Sequence, residues 1–160
     1  MRSFLAAILF LAVVACSKDK VPAPGAPTSV TPAQVALADF AHLSYLEGSW
    51  RGQPASGAPF YERYARLDDS TITSYTFSDS TFQAASDSGQ IGWRAGEVRT
   101  GSSPRGWVAT VWSVDSVRFE SEHGGNSFVW IRKSADAWEA RLSSPQAASA
   151  TVYQMTRVAP

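Results

Sequence analysis

An antiparallel, up-and-down β-barrel of about eight to ten strands, entered through one N-terminal helix, is the fold this sequence predicts. Three observations carry the prediction. From Gly48 onward apolar residues recur at a period of two. The periodic runs are short and divided by turn-forming residues at hairpin-length intervals. A chain of 160 residues, 44% hydrophobic and 12% aromatic, has the material for one packed core. Open edges on so many short strands invite pairing with other chains, and closing the sheet on itself removes them.

The chain begins with a segment that does not belong to this domain. Arg2 supplies a positive n-region, Phe4 to Ala15 is an unbroken apolar run, and Val13-Val14-Ala15-Cys16 closes it, so residues 1–15 read as a secretion signal. In a helix that run spans only about 18 Å, against a hydrocarbon core of about 30 Å, which argues against a permanent transmembrane helix. Val13-Val14-Ala15-Cys16 resembles the bacterial lipobox. The resemblance implies that Cys16 receives a diacylglyceryl thioether, becomes the mature N-terminus and is acylated on its amine; Ala15 would equally serve ordinary cleavage. Several acyl chains, at about 0.8 kcal/mol per buried CH₂, anchor far more firmly than one. The membrane is then a partner through the lipid and the location is the cell envelope. By resemblance to Gram-negative sorting, Ser17 in place of Asp implies the periplasmic face of the outer membrane.

Residues 16–30 follow as a lipidated cysteine and a tether: from Ser17 to Ser29 prolines and small residues forbid helix and offer little to bury. Partly extended, that stretch reaches roughly 30 to 40 Å. The folded domain should occupy 31–160. Thr31-Pro32-Ala33-Gln34 has the form of a capping box with proline at the first helical position, which predicts a helix from about 32 to 46. Leu37, Phe40, Ala41 and Ser44 would form its apolar face, and Gly48 its stop.

Strands are then expected at about 49–53, 59–68, 71–78, 81–86, 90–99, 107–114, 116–122, 127–133, 137–143 and 149–158. Asp68-Asp69, Ser78-Asp79, Ser88-Gly89, Gly101-Ser102-Ser103-Pro104, Gly124-Gly125-Asn126 and Ser134-Ala135-Asp136 supply the turns. Alternation is plainest late in the chain, where Val117, Phe119 and Ser121 oppose Arg118, Glu120 and Glu122, and Trp138, Ala140 and Leu142 oppose Glu139 and Arg141. The runs around Tyr61–Tyr64, Trp107–Trp112 and Phe128–Ile131 carry large apolar groups on both faces, as a covering helix, an oligomer contact or packing at the barrel ends would require.

Charge and cysteine content exclude several function classes. The 14 basic and 14 acidic residues cancel, and loss of the signal removes Arg2 and leaves one net negative charge, so no footprint for nucleic acid is present. Cys16 is the only cysteine, which excludes an internal disulfide and a paired-cysteine metal or redox site. His123 stands beside Glu120 and Glu122 before a glycine pair, but adjacent strand residues point to opposite faces and no second histidine is near, so it reads as a turn residue and not as a metal ligand or catalytic base. His42, within the expected helix, reads as a surface residue or a satisfied half-buried one. No Gly-x-Ser-x-Gly elbow and no phosphate-binding glycine loop occurs. The expectation is a non-enzymatic protein without catalytic residues, metal or cofactor.

Leu43-Ser44-Tyr45-Leu46-Glu47-Gly48-Ser49-Trp50-Arg51-Gly52 resembles the L-x-x-L-x-G-x-W-x-G opening of lipocalin-like (calycin) barrels, in particular nitrobindin-like proteins and an uncharacterised bacterial lipocalin-like family. Glu62-Arg63-Tyr64 resembles that family's acidic-plus-aromatic second strand, Val117 to His123 its phenylalanine–glutamate segment, and Tyr153 to Val158 its last strand. The likeness covers about 40–158, and Gly48 to Gly52 is its most specific part. It departs after His123, where Gly124-Gly125-Asn126 stands in place of the family's Asp-Phe-Pro. The haem of nitrobindin-like proteins, held by a histidine late in the chain, is not implied, because no histidine follows position 123. The resemblance does imply that Trp50 packs against Arg157 of the last strand across the barrel end, and an indole face offers a guanidinium a cation–π contact.

The aromatic residues leave two functional readings. A barrel of this size holds one small apolar ligand, with Tyr64, Tyr75, Trp93 and Trp130 as candidate lining residues, or it is filled by its own side chains. The first makes the protein a lipid-anchored envelope carrier of a small hydrophobic molecule. The second makes it a structural or interaction module, marked by an exposed aromatic patch of several hundred Å².

Overall fold

The computed structural model describes residues 30–101 and 106–159; the expected signal, Cys16, the tether up to Ser29 and residues 102–105 lie outside them. Ten strands follow a short helical segment. They are β1 Gly48–Pro54, β2 Phe60–Asp68, β3 Thr71–Phe77, β4 Ala85–Arg94, β5 Glu97–Thr100, β6 Trp107–Trp112, β7 Ser116–Ser121, β8 Ser127–Arg132, β9 Ala137–Ser143 and β10 Thr151–Arg157. Each pairs antiparallel with its neighbour in sequence, and β10 pairs with β1 to close the barrel, with Trp50 opposite Arg157 and Gly52 opposite Met155.

The period of two decides what is inside. Trp50, Tyr64, Ile72, Ile91, Val98, Phe119, Trp130, Trp138 and Met155 form one buried cluster on the inner face. One end of the barrel carries the start of β1, the end of β10 and the β2–β3, β4–β5, β6–β7 and β8–β9 turns. The helical segment plugs that end: Phe40 and Leu46 are fully buried, and the Trp50 indole N–H donates to the Leu46 carbonyl at 2.5 Å. The other end carries the remaining connections.

Two expected elements are corrected. The helix does not run from 32 to 46. A single α-turn, α1 Leu37–Phe40, passes into a 3₁₀ helix over Ala41–Leu46, and residues 30–36 are not helical. The backbone N–H groups of Ala33 and Val35 donate to the carbonyls of Ala109 and Gly96, each at 2.8 Å, and the Trp93 indole donates to the Val35 carbonyl at 2.7 Å. Partners on the barrel therefore outcompete the local capping box. Phe40, Leu43 and Leu46 form the buried stripe, a spacing of three that suits a 3₁₀ turn, whereas Leu37, Ala41 and Ser44 are exposed.

The second correction concerns 81–86 and 90–99. Ser88-Gly89 is no turn; it lies within β4, where Gly89 pairs with Ser74 of β3. The chain reverses instead at Ala95-Gly96, with φ of 52° and 88°, between β4 and β5. Two of the three doubly apolar strands also find their explanation. Tyr61 and Phe77 face outward and are covered by Phe82 of the β3–β4 connection, with ring centroids at 5.9 and 5.2 Å and the Arg63 guanidinium 5.0 Å above the Phe82 ring. In β6 a bulge between Ala109 and Val111 lets Trp107, Ala109 and Trp112 share the inner face by register.

Candidate functional site

A cavity of about 430 Å³ lies inside the barrel toward the end opposite the helix. It is lined by Phe60, Glu62 and Tyr64 of β2, Phe128 and Trp130 of β8, Trp138, Ala140 and Leu142 of β9, and Tyr153 and Met155 of β10. Strand β1 runs between β2 and β10 and contributes Gly52, at which a Cβ would run into the Phe60 ring. Glycine there lets Phe60 lie over the strand, edge to face with Tyr153 at 5.5 Å. Tyr64, Trp130 and Trp138 form the floor, each pair packed edge to face with centroids 5.8 to 6.4 Å apart. Trp138 in turn meets Trp50 at 6.0 Å, which ties the cavity floor to the closed end.

The polar feature of this space is Glu62. The Tyr64 hydroxyl donates to its Oε2 at 2.7 Å. Burial pushes the Glu62 carboxyl above its ordinary value and the Tyr64 hydrogen bond offsets part of that; burial, with Glu62 adding, also raises the Tyr64 hydroxyl well above its own. Among the described residues no cation pairs with Glu62, and no lysine or arginine lines the cavity. Glu139, one strand position from the cavity but on the outer face, is the contrast. It accepts from Gln154 at 2.9 Å and pairs with Arg141, and these contacts, the Gln154 bond first, hold its carboxyl below the ordinary range.

Of the four residues expected to line a ligand site, the structure places Tyr64 and Trp130 on the wall of this cavity. Trp93 shares the inner face with Ile91, but its indole is committed to Val35 at the closed end. Tyr75 lies on the outer face of β3, beside a separate hollow of about 580 Å³ with Leu67, Thr73 and Gln90. The sequence reading missed Glu62, Phe60 and Tyr153 as cavity residues. The signal for Glu62 was present in the alternation of β2, which puts positions 60, 62 and 64 on one face.

At the closed end the Arg157 guanidinium lies 4.3 Å from the Trp50 ring centroid. It donates to the carbonyls of Glu47 at 2.8 Å, Tyr45 at 3.3 Å and Ala135 at 2.9 Å, and pairs with Asp136 at 3.0 Å. Gly48 makes room for it, for its φ is 117° and a Cβ there would overlap the guanidinium. His42 belongs to the 3₁₀ turn at this end and His123 to the β7–β8 connection at the other. Among the described residues no three His, Cys, Asp or Glu side chains gather where they could hold a metal ion.

No family model and no curated protein matches this chain. Solved structures do resemble it. A T-type phycobiliprotein lyase, CpeT from Prochlorococcus phage P-HM1, matches with a TM-score of 0.50 and 10% identity over 77% of this chain and 98% of that one. A mutant of the fluorescent protein UnaG matches with a TM-score of 0.49 and 10% identity over 74% and 99%. At such identity the likeness is one of architecture alone, a closed antiparallel β-barrel.

Proposed function

We propose that this protein is a lipid-anchored component of the bacterial cell envelope whose barrel carries a small hydrophobic molecule without transforming it. The observation that carries the reading is the cavity of about 430 Å³ walled by Phe60, Phe128, Trp130, Leu142 and Tyr153. Its volume falls within the range of small-molecule sites, and an apolar wall with few polar groups is what such sites present. Anchoring rests on the Val13-to-Cys16 segment, outside the described residues. The alternative, an interaction module with a filled barrel, has less to stand on: the large hydrophobic residues exposed among the described ones are the aliphatic Leu37, Leu67, Val111 and Val114.

Two experiments test the two halves of the proposal. An environment-sensitive apolar dye should bind in the micromolar range and quench tryptophan fluorescence, and Ala140→Phe, which fills the cavity from β9, should abolish binding while the far-UV spectrum stays native. Binding unchanged by Ala140→Phe would place the ligand elsewhere. Intact mass analysis should show an acylated Cys16 that is lost, together with membrane association, in Cys16→Ser. An unmodified cysteine on membrane-free protein would refute the anchor.

A further inference from the structure

We propose that the molecule held in this cavity is a cationic amphiphile, a primary or methylated amine on an apolar body, whose nitrogen is received by Glu62. The inference rests on the ligand-carrier reading and specifies the chemistry of the same site. Glu62 and Tyr64 share the inner face of β2 and are bonded at 2.7 Å, so Glu62 Oε2 already has its donor. The other carboxylate oxygen has no protein donor among the described residues. A half-buried carboxylate on a largely apolar wall, with one side-chain hydrogen bond and no cation beside it, is costly to ionise, and a bound cation supplies a counter-charge and a second donor.

The surroundings select the sign of that charge. No lysine or arginine lines the cavity, so an anionic head group would meet the Glu62 carboxylate with nothing to balance it. The rings that share the cavity with Glu62, Tyr64, Trp130 and Trp138 among them, are of the kind that accommodates an ammonium or its methyl groups. The apolar body of the ligand then lies toward Phe60, Phe128, Leu142 and Tyr153. Burial raises the Glu62 carboxyl above its ordinary value, which accords with a group that acquires its counter-charge from outside the chain.

The experiment compares octylamine, octanol and octanoate on the full chain at pH 7, by displacement of the bound apolar dye. Octylamine should bind about tenfold more tightly than octanol, and octanoate should bind most weakly. In Glu62→Gln the amine and the alcohol should become about equal, while Tyr64→Phe, which leaves the carboxyl in place, should keep the preference for the amine. If octanol or octanoate binds the wild-type chain as tightly as octylamine, the cation proposal is overturned and the carrier reading stands. If none of the three displaces the dye, and the dye itself does not bind, both fall. Should Glu62→Gln fail to fold, the order of the three probes on the wild-type chain still decides.

Discussion

Glu62 costs the fold something that no neighbour removes, because its carboxyl is raised by burial and its one named hydrogen bond offsets only part of that. A carboxyl whose folded pKa lies above the unfolded value contributes stability that is fully present below the unfolded value and is lost as pH rises through the folded one. Glu62→Gln keeps the shape and discards the titration, so its stability relative to wild type should increase across that window and then level off. Asp68 and Asp79 act with the opposite sign, since hydrogen bonds from Ser70 and Thr81 lower them, but they are common to both proteins and cancel in the difference. Urea unfolding of the two proteins between pH 4 and about 8 measures it, and a difference that does not vary with pH would contradict the account. Arg157 is the other costly residue to change. Its contacts reach Glu47, 110 positions earlier in the chain, and include the Trp50 face at 4.3 Å. Trp50→Ala should cost roughly 3 to 5 kcal/mol, and a double-mutant cycle between the two positions should show coupling of about 1 to 2 kcal/mol. Arg157→Lys should lose most of that coupling, because an ammonium cannot stack on the indole while donating to three carbonyls; a cycle with no coupling would leave Trp50 as core packing alone. The Trp50–Arg157 pairing was legible in the sequence only through a family resemblance. The carbonyl acceptors were not, for a backbone oxygen carries no residue-type signal.

Among the elements, strands with clean alternation were legible almost to their ends: β9 is Ala137–Ser143 and β7 is Ser116–Ser121, against expected spans of 137–143 and 116–122. Elements whose conformation depends on distant partners were not. The capping-box sequence at Thr31 is overruled by the bonds of Ala33 and Val35 to the barrel, energies that local propensity does not contain. At Ser88-Gly89 a pair with strong turn character is held extended by pairing with β3 on one side, while the true reversal uses Ala95, a residue seldom found at positive φ. That reversal is a two-residue hairpin connection with both φ values positive, the conformation that Asn-Gly adopts with least strain. Ala95→Asn should therefore stabilise the protein by about 0.5 to 1 kcal/mol. Gly96→Ala should destabilise it by about 1 kcal/mol or more, because its φ is 88° and a Cβ would also press on the Gln34 side chain. Urea midpoints at constant slope report both changes, and an unchanged midpoint for Gly96→Ala would show that the turn relaxes without penalty.

For the molecule as a whole, closure is the property on which core and cavity both depend. Every strand has a partner on each side, so the barrel has no free edge, and the β1–β10 ladder joins segments from opposite ends of the domain. Strand β10 has three roles at once. It completes the ladder from Trp50 to Pro54, it supplies Met155 and Tyr153 to the cavity wall, and it carries Arg157 to the closed end. A chain ending at Ser149 would expose the ladder faces of both β1 and β9 and uncover Trp138, which is 1% exposed in the closed barrel. The loss is not that of one strand's contacts, because opening the wall floods the aromatic cluster that all the neighbouring strands share. We predict that this truncated chain forms no stable monomer and elutes as an aggregate in size-exclusion chromatography, with its tryptophan emission shifted to the red. Arg157→Lys in the full chain is the matched control, because it weakens the closed end but keeps the β1–β10 ladder intact, and it should remain monomeric with blue-shifted emission. A truncated chain that is monomeric and has native emission would mean that nine strands suffice to bury the core, and that β10 serves the cavity and not the fold.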